Sequence, residues 1–199
     1  GFAVGSDTTI LRTENGGFRW EKQFSPVDAT LSGIFVRDKK NALIVGARGT
    51  ILVTDNGGKD WKLIKTEARD HLYSVSLAGE DLKAGWAVGT YGRILKTTDG
   101  GLSWTAQKAE TTEHLLKISV FDAERAVITG QNGTILSTTD GGKNWRISRP
   151  CGSALISGAG YLSAEKVVAV GGVKRVEQDL YADVALATLQ AFQQAKLAS

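Results

Sequence analysis

Four tryptophans impose the strongest constraint on this chain. Trp20, Trp61, Trp104 and Trp145 each close a near-copy of one phrase: TTILRTENGGFRW at residues 8–20, GTILVTDNGGKDW at 49–61, GRILKTTDGGLSW at 92–104 and GTILSTTDGGKNW at 133–145. The intervals are 41 residues from Trp20 to Trp61, 43 from Trp61 to Trp104 and 41 from Trp104 to Trp145. A unit of this length cannot bury its apolar face alone and must stack on its own copies. Four-stranded propeller blades of about 40–45 residues fit the period best.

Composition agrees and narrows the function. Among 199 residues, 24 glycines against two prolines suit many short strands joined by tight turns. The single Cys151 has no second cysteine to pair with, and neither histidine has a zinc-ligand neighbour, so a metal and a cofactor are not expected. The net charge of +3 comes from 24 Lys and Arg scattered among 21 Asp and Glu, which argues against a nucleic-acid partner. No apolar run reaches the ~20 residues of a membrane span.

The unit ending at Trp145 shows the pattern of one blade. LLKISVF (115–121) reads as a first strand, DAER as a polar turn, AVITG (126–130) as a second strand, GTILSTT as a third and NWRIS as a fourth. In the turn between the third and fourth strands, Asn15, Asn56, Asp99 and Asp140 can accept hydrogen bonds from their own backbone. The glycines that follow permit positive φ, and each tryptophan can lay its ring across the turn. One acid per turn is too few for a calcium ion, which takes ~6–8 oxygens, so the motif reads as a structural staple.

The pattern T-x-D/N-x-G-x-x-W after a G-x-I-L strand matches the Asp-box, or BNR repeat, of β-propeller proteins. GFAVG (1–5) and GWAVG (85–89), coupled to TTILRTENGGFRW and GRILKTTDGGLSW, resemble more narrowly the photosystem II stability and assembly factor family and its non-photosynthetic bacterial relatives. The resemblance runs to about residue 171. It implies a non-enzymatic, exported protein, periplasmic or lumenal, that docks on a membrane protein complex during assembly. Asp-boxes also occur in sialidases and other glycosidases, so a glycoside hydrolase or carbohydrate-binding propeller is the alternative, together with a purely structural module of a longer polypeptide.

Two departures qualify the repeat. A fifth unit starts normally with ALISGAGYLS and KVVAVGG, but VKRVEQDLYADVALATLQAFQQAKLAS stands where another Asp-box belongs. Val176, Leu180, Val184, Ala187 and Ala191 recur at helical spacing. The domain reading is therefore an all-β propeller or propeller segment over residues 1–174, with four to five blades of which the first and last are incomplete. An α-helical tail over 175–199 follows, either capping a blade edge or docking on a partner. Closing a ring within this chain would pair the ALISG strand with the N-terminal three strands and leave VVAVG surplus; the strand count favours instead a piece of a larger propeller, or a ring finished by something else.

Strand order sets the faces. Loops joining strands two to three and four to one share one end, and the Asp-box turns lie at the other. The first end carries Asp7, Arg48, Tyr91, Arg93, Gln131 and Asn132, with Arg69, Asp70, Glu113 and Arg149 from longer connections, and these residues differ from blade to blade as a reading surface requires. Arginines there suit carboxylates or phosphates of a protein partner. Each also reads as plain solvated rim. For a glycosidase, Tyr91 with Glu113 and Arg48 with Arg93 are the residues from which a site would be assembled, and none has a catalytic flanking motif. His71 and His114, one period apart, read as equivalent structural positions. Arg12 and Lys96 occupy equivalent places before the Asp-box, where a positive charge resembles the family pattern.

Overall fold

The structure, a computed structural model, describes residues 1–78, 81–150 and 152–172. The tail expected over 175–199 lies outside the described residues. Strands β1 (Phe2–Val4), β2 (Ile10–Arg12) and β3 (Glu21–Lys22) form a three-stranded sheet. Three complete blades follow: β4 (Leu31–Val36), β5 (Ala42–Gly46), β6 (Ile51–Thr54) and β7 (Lys62–Leu63); β8 (Leu72–Ala78), β9 (Ala84–Gly89), β10 (Ile94–Thr97) and β11 (Thr105–Gln107); and β12 (Leu115–Val120), β13 (Ala126–Gly130), β14 (Ile135–Thr138) and β15 (Arg146–Ser148). A hairpin of β16 (Leu155–Ser163) and β17 (Lys166–Gly172) ends the described chain. All pairings are antiparallel.

Successive first strands β4, β8, β12 and β16 pack side by side, which is the radial arrangement of a propeller segment. Second strands sit mid-sheet between two blades, and β5 and β13 are buried at every residue. That is why ALIVG and AVITG are apolar on both faces rather than alternating. The fourth strands form the outer rim and are largely exposed. The core divides by interface. Ile10, Leu31, Ile44, Leu52 and Trp61 join blades one and two; Val45, Ile51, Leu72, Val75, Ala87 and Leu95 join two and three; Trp86, Val88, Leu115, Ile118, Ile128 and Leu136 join three and four. Each blade is thus stabilised by its neighbours, as in other repeat arrays.

The repeated phrase explains both ends of this arrangement. At the Asp-box turn, a buried threonine is the hub. Thr13, Thr54, Thr97 and Thr138 donate to the Oδ1 of Asn15, Asn56, Asp99 and Asp140 at 2.8–3.0 Å. Each threonine Oγ1 also accepts from the amide of the second turn glycine, at 2.9 Å in all four copies. The same Oδ1 accepts from the amide four residues on, at 2.9–3.1 Å. The first glycine ties the turn to the loop between strands one and two of its own blade, through Gly57 to Lys40, Gly100 to Lys83 and Gly141 to Glu124.

The turn then packs backwards on the preceding blade. A side chain at Gly58 would strike the Phe2 ring, one at Gly101 the Leu43 side chain, and one at Gly142 the Gln107 amide. Phe2, Leu43 and Trp86 are equivalent positions of the second strand, facing Arg12, Val53 and Lys96 across the sheet. Trp61 meets Phe2 edge-on at 5.7 Å between ring centroids, and Trp145 meets Trp86 at 6.1 Å. Burial of the tryptophans follows: Trp61 is buried, Trp104 and Trp145 are half-buried against these clusters, and Trp20 in the first blade is 43 % exposed.

The pairing that closure within the chain would need is not formed. Strand β16 pairs with β17 and not with the N-terminal trio, which stays three-stranded. Strands β16 and β17 are paired over seven residues.

Candidate functional site

The loop end is built from four equivalent hairpin turns. Asp7–Thr8, Arg48–Gly49, Tyr91–Gly92 and Asn132–Gly133 all occupy the left-handed region, with φ between 51° and 70°. The flanking residues close each turn with a bond of 3.0–3.1 Å, as in Thr50 to Ala47 and Thr134 to Gln131. Two consecutive left-handed residues are the type I′ geometry, whose twist matches that of the strands it joins. The turn glycine then donates to the chain entering the next blade: Gly49 to Asp70 at 2.7 Å, Gly92 to Glu113 at 2.9 Å and Gly133 to Ala154 at 2.5 Å. A Cβ there would collide with the carbonyl oxygens of Ala68, Thr111 and Gly152, so glycine is demanded by close approach as well as by φ.

These turns and the connections after them carry the sequence-predicted residues, several of them with a partner of their own. Arg48 is exposed and donates to the backbone carbonyl of Asp28. Tyr91 is 70 % exposed and meets His114 edge-on at 5.1 Å, while its amide donates to the His114 Nδ1 at 3.3 Å. Arg93 is held by Asp70 at 2.5 Å, in the most buried ion pair among the described residues. Asn132 donates to the Glu113 carboxylate at 2.8 Å. Gln131 is half-buried, and its amide donates to the His114 carbonyl at 3.0 Å. Arg69 and Arg149 are exposed. Among the described residues, Arg48, Arg69 and Arg149 form no ion pair.

Two open clefts run between these loops. One of about 560 Å³ is bordered by Asp28, Arg48, Lys65 and Arg69, and one of about 430 Å³ by Thr111, Glu113 and Arg149. The first is cationic on balance, since Asp28 faces three positive groups. An extended anionic or polar segment suits such shallow, open relief better than a small molecule does.

The residues from which a glycosidase site would be assembled do not converge. Arg93 is committed to Asp70, Glu113 to Asn132, and Tyr91 to His114 rather than to Glu113. Among the described residues no group of three or more His, Cys, Asp and Glu is arranged for a metal ion, and no helix is long and apolar enough to cross a membrane. The two histidines share a backbone role: the His71 carbonyl accepts from Thr90 at 2.9 Å, and the His114 carbonyl accepts from Gln131. Their side chains differ. His71 stacks on Tyr73 and shares a 2.6 Å hydrogen bond with Ser32, and burial lowers its pKa.

At the Asp-box end the acids are consumed by structure. Hydrogen bonds from the Asn144 amide and side chain, and from Thr138, hold the Asp140 pKa at about 2. At Asp99, burial raises the pKa, but bonds from Ser103, Thr97 and Leu102 outweigh it and the net shift is downward. Lys96 reaches the Gly141 carbonyl of the next blade and lies 5.1 Å from the centre of the Trp86 ring; burial, then Lys143, lowers its pKa. Arg12 pairs with Glu14 at 2.5 Å and lies beside Gly57 of the next blade's turn.

Two sets of residues escaped the sequence reading. The hub threonines were visible in the motif, but a threonine at a strand end is common and gives no sign of its bonds. Gln107 accepts from both Trp86 Nε1 at 2.9 Å and Trp145 Nε1 at 3.3 Å, joining blades three and four. Its only signal was that a buried indole needs an acceptor.

Comparison with known proteins follows the same lines. No curated protein matches the chain. Among solved structures, YCF48 bound to a D1 peptide is similar at 19 % identity with a TM-score of 0.63, covering 80 % of this chain and 53 % of that one. YCF48 from Cyanidioschyzon merolae is similar at 25 % identity and a TM-score of 0.57, covering 64 % of this chain and 42 % of its own. An ancestral GH74 enzyme shares the fold at 14 % identity, TM-score 0.63, covering 75 % of this chain and 22 % of that chain. The chain therefore spans about half the length of its YCF48 relatives or less. The family described as photosynthesis system II assembly factor YCF48 matches residues 61–181, more than half of the sequence. With its Asp-box turns and antiparallel four-stranded blades, the chain belongs to the family of photosynthesis system II assembly factor YCF48.

Proposed function

We propose that this chain is a binding segment of an assembly or stability factor for a membrane-associated protein complex, and that it recognises a polypeptide through its loop end. The observation that carries this reading is the division of labour between the two ends. At the Asp-box end the motif's own Asn, Asp and Thr side chains are spent on their turns and the free cations are lysines, whereas the loop end presents the guanidinium groups of Arg48, Arg69 and Arg149 without a carboxylate partner among the described residues. Tyr91, Arg93, Gln131 and Asn132 complete the proposed contact surface. Membership of the family, and the D1 peptide held by a structural relative, support a partner of this kind. Residues 1–174 serve as the propeller part, non-enzymatic and acting from the lumenal or periplasmic side of a membrane. The segment over 175–199 is a second candidate contact.

Photo-crosslinking tests this. A photoreactive residue at position 69 or 149, on the loop end, should capture a polypeptide of solubilised photosystem II membranes, while the same residue at position 59 or 143, beside the Asp-box turns, should not. Capture only from 59 or 143 would overturn the reading. The glycosidase alternative predicts sugar cleavage that Glu113→Gln abolishes; the commitment of Glu113 to Asn132 leads us to expect no turnover in either protein.

A further inference from the structure

We propose that the two outer faces of the described arc fit each other, so that two copies of this chain associate head to tail. The Asp-box turn of blade one in one copy seats on strand β17 of the other. This is independent of the loop-end reading of function.

The internal seams obey one rule. Each Asp-box turn rests on the second strand of the blade before: Trp61 on Phe2, Gly101 on Leu43 and Trp145 on Trp86. Behind that contact, Ala87 and Leu95, cross-strand partners in blade three, pack with Val45 and Ile51 of blade two.

Blade one carries the inserting half of such a seam, and among the described residues nothing receives it. A side chain at Gly16 would meet open space, and one at Gly17 only the turn's own Trp20. Trp20 is 43 % exposed where Trp61 is buried. Ala3 and Leu11, the counterparts of Ala87 and Leu95, are half-buried where those two are buried. The turn is nevertheless fully bonded within itself, through Thr13, Asn15 and the Gly17 amide, so it is preorganised to insert.

Strand β17 carries the accepting half. Val168 and Val170 stand where Leu43 and Val45 stand in blade two, yet they are 40 % and 59 % exposed. Their cross-strand partners are Gly160 and Gly158, which leave the face flat. A side chain at Gly33, the counterpart of Gly158, would strike the Tyr73 carbonyl of the next blade. One at Gly158 would meet only Val170 of its own hairpin, and one at Gly160 would meet open space.

Each face therefore lacks what the other supplies, and the two lie at opposite ends of the arc without pairing to each other. Terminal repeats that stand alone present a polar outer face, whereas these present apolar ones. A second copy supplies the turn that β17 lacks and the strand that Trp20 lacks, which continues the seam already made inside the chain. Length agrees, since the aligned part of this chain spans 53 % of the YCF48 chain bound to the D1 peptide, and a second copy adds a comparable arc. Because the two faces differ, the contact is heterologous, and a pair joined at both seams closes a ring.

The test uses the full chain with p-benzoylphenylalanine in place of Trp20, mixed equally from light-isotope and heavy-isotope cultures. Irradiation should give a product of about twice 21.2 kDa whose light-to-heavy links map to residues 166–171. In sedimentation the parent should run as a dimer at micromolar concentration. Trp20→Lys and Val168→Lys should each raise the dissociation constant at least about tenfold, because each places a charge in an apolar seam. An equal mixture of the two variants should recover dimer, since it holds one intact pair of faces, a result that a contact between identical faces would not give. A parent that stays monomeric would overturn the proposal, and so would association that survives both substitutions. Links confined to one isotope, or mapping to residues 173–199, would overturn it as well by showing that another occupant meets Trp20. The crosslinking arm requires neither lysine variant to fold.

Discussion

Thr97 makes more of the fold than its size suggests. Its hydroxyl donates to Asp99 and accepts from the Gly101 amide, and the side chain is 1 % exposed. Thr97→Val keeps the shape and removes both bonds, leaving a buried amide unpartnered, so it should cost about 2 kcal/mol by denaturant unfolding. Thr98→Val next door, on an exposed residue, should cost almost nothing. The motif's acids make a separate prediction. The Asp140 carboxyl, held near 2 against an ordinary 3.8, adds stability that is fully present above the ordinary value and lost as pH falls through the folded one. Asp99 shifts the same way, while blades one and two carry the uncharged Asn15 and Asn56. Hydrogen exchange between about pH 4 and 2 should therefore show the turns of blades three and four losing protection before those of blades one and two. Asn15, Asn56, Asp99, Asp140 and the tryptophans were legible from sequence because they recur; the threonine bonds and the second indole bond to Gln107 were not, because neither residue type implies a partner.

At the scale of the element, glycine separates two penalties that sequence cannot distinguish. Gly16 and Gly92 have nearly the same φ, 73° and 70°. A Cβ on Gly16 meets open space, whereas one on Gly92 collides with the Thr111 carbonyl of the chain entering blade four. Gly16→Ala should cost about 1 kcal/mol, the conformational penalty alone. Gly92→Ala should cost clearly more, because the backbone of an adjacent blade must move. Equal costs would mean that the interface is looser than drawn. Gln107→Leu offers a complementary test: it orphans the buried Trp86 Nε1 and should cost about 1–3 kcal/mol, with the loss of exchange protection confined to blades three and four. The strands themselves were readable from their apolar runs. The type I′ turns were readable only at Asn132–Gly133, since Arg-Gly and Tyr-Gly carry no turn signature.

The described blades form an arc in which the Asp-box turns of blades two, three and four each pack on the blade before. The tryptophan period disclosed this arrangement, since only a stack of equal units keeps equal spacing in the chain. Period alone could not disclose which strands pair at the ends: β16 stays with β17, and β17 exposes Val167, Val168 and Val170 where its counterparts β5 and β13 are buried. The loop end was locatable from strand order, but not the internal commitments of Arg93, Glu113 and Asn132, which depend on contacts between blades. On the proposed function, repeated residues build the molecule and variable loop tips bind. Amide chemical-shift mapping of the 21.2 kDa chain, titrated with a D1-derived peptide, tests that most directly. Perturbations should cluster at residues 28–30, 47–50, 68–71, 90–93, 111–114 and 131–134; perturbations confined to the Asp-box turns, or to the exposed face of β17, would contradict it.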